Sequence, residues 1–264
     1  MHSFNFQEIQ KNFYILFILS FFIRIFFFII YPDQLFPDSL QYEKLGIEFF
    51  NNNFQFTSPV HMPLYPVMSY IFGGRINLIF LDIILSSFSV ILIFYLSSLI
   101  FDLRTGKIAG YISAIYPFFI FYSLSGLTET MYIFVQLSYI ILLYKKKYLL
   151  SFFLIAVSLY LRPTLDLFYP LIIFSFIYIV HRERFLKTFK ILLSYMLIYI
   201  IFLSPWWIHN YNKYDNFVRM NLAMGRVTYV GNNDLNKSGG GIAGIDVYLS
   251  YADKIENDYE RYEF

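Results

Sequence analysis

The chain has 264 residues, of which 58% are hydrophobic and 14% are charged, and its formal net charge is +2. Soluble domains are about 45–50% apolar and about 25% charged, so this composition excludes an ordinary water-soluble fold and predicts a lipid-solvated protein. Cysteine is absent, which excludes disulfides, thiolate metal sites and a cysteine nucleophile. The small net charge indicates no nucleic-acid partner.

Five apolar runs are each about long enough to cross a bilayer as a helix, which takes roughly 17–25 residues. They cover residues 13–31, 76–101, 108–124, 127–144 and 189–207. The first run is too long and too aromatic for a cleavable signal peptide. A further stretch, residues 148–180, is interrupted at 162–166, and we interpret it as a hairpin of two short spans.

Basic residues predict the topology, because cytoplasmic loops collect Lys and Arg. Ten of the 20 Lys and Arg residues lie in four short segments: Lys11; Arg104 and Lys107; Lys145, Lys146 and Lys147; and Arg182, Arg184, Lys187 and Lys190. With a cytoplasmic N-terminus, seven spans put all four segments in the cytoplasm. We therefore predict an all-α polytopic membrane protein with about seven transmembrane helices. Its first loop, residues 32–75, is extracytoplasmic, as are the tips near residues 125 and 162 and the tail after residue 207.

The first loop holds the clearest candidate for chemistry. Pro37, Asp38 and Ser39 form a typical helix start, and the following residues predict a short helix on the membrane surface. A carboxylate held there is well placed to act as a base. The alternative is that Asp38 is an ordinary helix cap.

Residues 36–42, with the sequence FPDSLQY, resemble the acidic first-loop motif of the GT-C glycosyltransferases. Within that class, the motif looks especially like that of the dolichyl-phosphate-mannose protein mannosyltransferases and the lipid A aminoarabinose-transferase-like group. Residues 61–66, HMPLYP, are similar to the proline-rich segment that precedes the second span in that group. Further similar blocks follow in the same order at residues 128–129 (TE), 161–163 (LRP), 205–211 (PWWIHNY) and 231–233 (GNN). His209 stands where the family usually has an arginine.

The resemblance implies an inverting hexosyl or pentosyl transfer from a polyprenyl-phosphate sugar to an extracytoplasmic protein, lipid or polysaccharide acceptor. It implies that Asp38 is the general base and that Glu129 orients the acceptor. A divalent metal ion held by Asp38, His61 and Glu129 is a further expectation. Arg162 is the candidate partner of the donor phosphate. The other candidate substrate-binding residues are Ser39, Tyr42, His61, Tyr65, His209 and Asn210.

Plainer structural roles stay open for several of these residues. Glu129 is then a helix cap, Arg162 an anchor at the headgroups, and Trp206 and Trp207 members of the interfacial aromatic belt. Asn210 and residues 231–233 are then ordinary turns of the outer loops.

In the domain organisation that we predict, residues 1–209 form a transmembrane GT-C-like catalytic module in the plasma membrane. Residues 210–264 form an extracytoplasmic tail. Family members continue well beyond this length, so we expect the tail to be the start of a missing C-terminal region.

Two other functional classes remain open. A charge inside a span is typical of transporters, and Arg24 must face the bundle interior, where pairing with Asp82 or Asp166 is the simplest expectation. The abrupt end of the chain is consistent with a non-catalytic remnant of a GT-C enzyme.

Overall fold

The computed structural model describes residues 6–32, 35–237, 254–255 and 257–263, and every regular element in these residues is a helix. This confirms the all-α prediction. The helices are α1 (Phe6–Ile30), α2 (Pro37–Asn51), α3 (Leu64–Ile71), α4 (Arg75–Ile100), α5 (Leu103–Ile115), α6 (Pro117–Leu124), α7 (Glu129–Tyr144), α8 (Tyr148–Leu161), α9 (Tyr169–Ser175, continued by a π-helical turn, Phe176–Val180), α10 (Phe185–Tyr214), α11 (Ala223–Gly231) and α12 (Asp258–Glu263).

Helices α1, α4 and α10 are each long and apolar enough to cross a bilayer. Helices α5 and α6 meet at a bend of 49° and together are long enough for a fourth crossing. The apolar helices α7, α8 and α9 with its π-helical turn are shorter than a standard span. The described part of the chain thus fits a lipid bilayer, with three or four candidate spans by length and composition.

The bend between α5 and α6 lies at Pro117, which has no backbone N–H to continue the helical ladder. Arg24, fully buried in α1, reaches this bend. Its Nη1 donates to the carbonyls of Ser20, at 2.9 Å, and Ala114, at 3.3 Å, and its Nε donates to Ser86 Oγ at 2.8 Å. The guanidinium therefore lies at the C-terminal end of α5, where free carbonyls carry partial negative charge.

Arg24 faces the bundle interior, as predicted, but the expected pairing with an acidic residue is wrong. Asp82 instead accepts a hydrogen bond from Tyr65 OH at 2.6 Å. Asp166 accepts from Arg219 Nε at 2.8 Å and also from a tyrosine hydroxyl. Both carboxylates thus have other partners.

The contacts bring the basic segments to one end of the helix bundle, here called the basic end. Three pairs make the connection: Lys107 with Glu8 at 2.5 Å, Tyr144 OH with the Leu99 carbonyl at 3.2 Å, and Lys146 with Glu183 at 3.1 Å. The opposite end, here called the loop end, carries α2, α3, residues 125–128 and 162–168, and the start of the tail. This separation is what the positive-inside pattern requires.

Two close approaches hold α2 at the loop end. A Cβ at Gly46 would lie 2.2 Å from the Pro66 carbonyl oxygen, so α2 and α3 touch through their backbones. Gly126 has φ +64° and packs against Ser39 and Arg75, which brings the segment before α7 against the first turn of α2. The start of α2 is thereby fixed beside the starts of α4 and α7.

Candidate functional site

Tyr42 of α2 is the centre of a polar cluster at the loop end. Its ring contacts His61 and Tyr65 edge to face, with both centroid distances at 5.2 Å. Burial raises the pKa of Tyr42 to about 12, and the nearby Asp38 carboxylate acts in the same direction. The phenol is therefore neutral and able to donate a hydrogen bond at neutral pH. Thr128, Glu129 and Arg162 also act on the Tyr42 hydroxyl and complete the cluster.

Asp38 lies in the first turn of α2 with an exposed carboxylate. Within the described residues this carboxylate makes no hydrogen bond and no ion pair, although it acts electrostatically on Tyr42 and His61. The residue at the cap position is Phe36, and Asp38 is not the cap. The carboxylate is therefore accessible from outside the bundle.

The Ser39 hydroxyl stabilises the first turn of α2 through hydrogen bonds to the Phe36 backbone. Its Oγ accepts from the Phe36 N–H at 3.2 Å and donates to the Phe36 carbonyl at 2.8 Å. The side chain is 1% exposed. Because this hydroxyl is buried and used by the helix start, it is not available for the substrate contact that the sequence predicts.

His61 is half-buried, and its Nδ1 lies 2.9 Å from Ser58 Oγ. Burial lowers the pKa of His61, while the Asp38 carboxylate opposes the shift. The net shift is downward from an ordinary value near 6.5, so His61 is neutral at pH 7. It serves there as a hydrogen-bonding group, and a cationic contact with phosphate would require acid pH.

Glu129 and Arg162 form an ion pair across the cluster. Glu129 is the first residue of α7 and Arg162 follows the last turn of α8. Arg162 Nη1 donates to the Glu129 carboxylate and, at 3.3 Å, to Thr128 Oγ1. Their side chains remain 27% and 38% exposed, respectively, so the pair is accessible from outside. A guanidinium has five N–H donors, and those on Nε and Nη2 of Arg162 make no hydrogen bond within the described residues.

Tyr65 supports the cluster from the bundle interior. Its hydroxyl is directed at Asp82 of α4, and the side chain is 1% exposed. The ring packs under Tyr42, so Tyr65 holds the Tyr42 ring and has no exposed group for the predicted substrate contact. Asp82 is fully buried, and its Oδ1 has no partner among the described residues.

His209 and Asn210 lie away from this cluster, at the end of α10. His209 Nε2 is 3.1 Å from the Phe56 carbonyl, and its ring stacks on Trp206. Asn210 is buried, and its Nδ2 donates to the Val218 carbonyl at 3.0 Å and to a second carbonyl nearby. Both side chains join parts of the protein to one another, and the structure does not bring them to Asp38.

The partners of α10 include a segment that sequence reasoning missed, residues 218–222, here called the strap. Trp206 Nε1 donates to the Met220 carbonyl at 2.6 Å and Trp207 Nε1 to the Arg219 carbonyl at 2.8 Å. The indoles therefore bind the strap and are more than members of an aromatic belt. The sequence signal for this segment is weak, because it consists only of Arg219 between the apolar residues Val218 and Met220.

The other edge of the strap reaches the residues just before His61. Asn221 Nδ2 donates to the Val60 carbonyl and the Leu222 N–H donates to the Pro59 carbonyl, both at 2.8 Å. The strap thereby links α10 to the loop that carries His61.

The predicted metal ligands Asp38, His61 and Glu129 are not assembled into a site. Across residues 6–32, 35–237 and the short described stretches after residue 253, no three His, Asp or Glu side chains lie close enough to share an ion. Glu129 is directed at Arg162 instead. The divalent metal stays a prediction.

An apolar groove of about 860 Å³ runs along α1 and the bent α5–α6 pair. Its wall includes Ile18, Phe22, Phe26, Ile115, Pro117 and Phe121. Phe36, two residues before Asp38, packs edge to face on Phe121 with centroids 5.5 Å apart. The groove thus leads from the apolar surface of the bundle to the start of α2.

Fold and site together define an all-α membrane protein with a polar cluster at one end of its bundle. No protein-family model matches this chain, and neither a curated protein nor a solved structure matches it.

Proposed function

We propose that this chain is an integral membrane glycosyltransferase that uses a polyprenyl-phosphate sugar donor and an extracytoplasmic acceptor. The observation that carries the proposal is the exposed carboxylate of Asp38, which has no partner among the described residues and shares the Tyr42 cluster with the Glu129–Arg162 pair. A base and a cation near one phenol are the two groups that glycosyl transfer from a phosphate requires, the cation to bind the departing phosphate.

In the proposed reaction, Asp38 accepts the proton of the acceptor hydroxyl from about 2.6–3.2 Å. The acceptor oxygen bonds to the anomeric carbon as the bond to the phosphate oxygen breaks, with inversion. Arg162 binds the departing phosphate through donors that Glu129 does not use. Tyr42, whose phenol is neutral at pH 7, donates a hydrogen bond to an oxygen of the sugar donor or of the acceptor.

The apolar groove supports the choice of a lipid-borne donor. A soluble sugar nucleotide has no use for an apolar groove on the membrane-facing surface of the bundle, whereas an isoprenoid chain has the length and chemistry to lie in one. The groove wall meets the start of α2 through Phe36 and Phe121. A chain lying in it would carry its phosphate towards Asp38.

We further propose seven crossings with a cytoplasmic N-terminus. All four basic segments lie at the basic end of the bundle, and this supports the topology. With seven crossings, every one of these segments is on the cytoplasmic side, where basic residues are expected. Helices α7 and α8 have 16 and 14 residues. They would span about 24 Å and about 21 Å, less than the ~30 Å hydrocarbon core, so local thinning of the bilayer would accompany them.

One observation favours transport as a second candidate function. Asp82 is a fully buried carboxyl within α4, and one of its oxygens is without a partner in the described part of the chain. Intramembrane acids of this kind mark ion pathways. The same acid is explained under the first proposal by its hydrogen bond to Tyr65 beneath the cluster.

The test is Asp38→Asn in proteoliposomes supplied with several labelled polyprenyl-phosphate sugars, with products followed by mass spectrometry. Loss of the base should reduce transfer by about 10²–10⁴-fold. Asp215→Asn is the matched control, because Asp215 is an exposed aspartate at the loop end with φ 53°, a conformation that asparagine adopts readily. Equal transfer by both variants would refute the assignment of Asp38, and solute flux without transfer would favour the transporter.

A further inference from the structure

Two turns at the basic end are held side by side. Residues 145–147 connect α7 to α8, and residues 181–184 connect the π-helical turn to α10. Lys146 donates to Glu183 at 3.1 Å, and Tyr148 OH lies 2.9 Å from His181 Nδ1. Lys146 and Arg182 both have a left-handed backbone, with φ 58° and 51°. The two turns therefore form one defined surface.

This surface has a large excess of positive charge. Residues 145–147 and 182–190 contain seven Lys and Arg residues and one carboxylate, Glu183. Glu183 accepts from both Lys146 and Lys187, and Lys145 lies over the Tyr95 ring at 4.6 Å. The remaining four cations are exposed and make no ion pair with the described residues. They are Lys147, Arg182, Arg184 and Lys190.

Exposed apolar side chains alternate with these cations. Leu149 and Leu150 follow Lys147, and Phe185 and Leu186 follow Arg184, with Leu186 73% exposed. A water-soluble polyanion would match the charges and leave the apolar side chains uncovered. A phospholipid matches both, since its headgroup is anionic and its acyl chains are apolar.

We propose that this surface, residues 145–150 and 182–190, binds anionic phospholipids. The headgroup phosphate lies among Lys147, Arg182, Arg184 and Lys190, and the acyl chains lie against Leu149 and Leu186. Guanidinium groups are suited to this role because they donate two parallel hydrogen bonds to phosphate oxygens. The inference is independent of the proposed glycosyl transfer.

The experiment measures how much phosphatidylglycerol, relative to phosphatidylcholine, the purified full chain retains in native mass spectrometry. The variant Arg182→Gln with Arg184→Gln removes two cations that have no ion pair. A basic residue near an anionic surface contributes about fivefold to binding, so we expect a loss of roughly 25-fold in retained phosphatidylglycerol. The matched control is Lys11→Gln with Arg104→Gln, which removes two exposed charges from the same end but outside the surface.

A second variant, Leu186→Ser, keeps every charge and shortens an exposed apolar side chain. It should reduce retention of both lipids while preserving the preference for phosphatidylglycerol. Equal losses from the two charge variants, or equal retention of the two lipids by the unmodified chain, would overturn the proposal. Displacement of phosphatidylglycerol by a short RNA or by poly-glutamate, without any effect of Leu186→Ser, would overturn it in favour of a soluble polyanion.

Discussion

At the scale of single residues, several buried polar side chains in the described part of the chain donate hydrogen bonds to the backbone of their own helix. Ser87, Ser98 and Ser123 each donate to a carbonyl three or four residues earlier in the same helix. Arg24 also bonds mainly to the backbone, because it donates hydrogen bonds to two carbonyls and to one serine hydroxyl. A buried cation can be accommodated in this way, since the end of α5 supplies partial negative charge in place of a carboxylate.

Arg24→Met tests this account of the buried cation. Methionine fills a similar space, but the Ala114 carbonyl at the bend loses its donor. The variant loses three hydrogen bonds, each contributing about 1 kcal/mol, and removes one guanidinium nitrogen, Nη2, that has no partner among the described residues. The lost bonds outnumber the relieved donor, so we expect a lower melting temperature in detergent. Ile29→Met, on the exposed face of the same helix, is the control and should melt like the unmodified protein. Identical melting of all three would show that the guanidinium contributes nothing to stability.

Among helices, α5 packs closely against α4 and α1 through two of its glycines. Gly106 and Gly110 lie one turn apart on α5, the small-residue spacing that lets membrane helices pack backbone to backbone. A Cβ at Gly106 would lie 1.9 Å from Ser98 Oγ and 2.8 Å from the Phe94 carbonyl oxygen. A Cβ at Gly110 would lie 2.7 Å from a methyl group of Leu16. The two glycines thus determine how closely α5 approaches α1 and α4.

Gly106→Ala should therefore destabilise the protein. The added methyl group must push α5 away from α4, and overpacking of this kind costs about 1–3 kcal/mol. Gly231→Ala is the matched control, because nothing lies within 4 Å of a Cβ placed there. Thermal unfolding in detergent distinguishes the two, and equal melting temperatures would mean that α4 and α5 can separate without cost.

At the scale of the whole molecule, the bundle separates a basic end from a loop end that carries the Tyr42 cluster. The strap joins the end of α10 to the loop before His61, so residues 218–222 are packed against the bundle. Helix α10 itself runs on to Tyr214. The predicted division at residue 209 stays a prediction, although these contacts show the two sides packed together.

Single-cysteine labelling tests the orientation directly, because the chain contains no cysteine of its own. Asn53→Cys at the loop end should react with a membrane-impermeant maleimide in intact cells. Lys147→Cys at the basic end should react only after the membrane is permeabilised. Both positions are exposed, so access to the reagent depends on the side of the membrane. The reverse pattern would place Asp38 in the cytoplasm and remove the basis of the proposed glycosyl transfer.

The predicted 108–124 run is divided between two helices that meet at a bend of 49°. Local sequence patterns nevertheless predict the membrane class, most of the other helices and the position of Asp38 in the first turn of α2. These features depend on local composition and on helix-start signals within a few residues. Only the packing of the bundle brings Arg24 to the end of α5, Glu129 to Arg162 and Asn210 to the strap. These partners come from different helices or loops, and their meeting depends on how the helices pack, which local patterns do not encode.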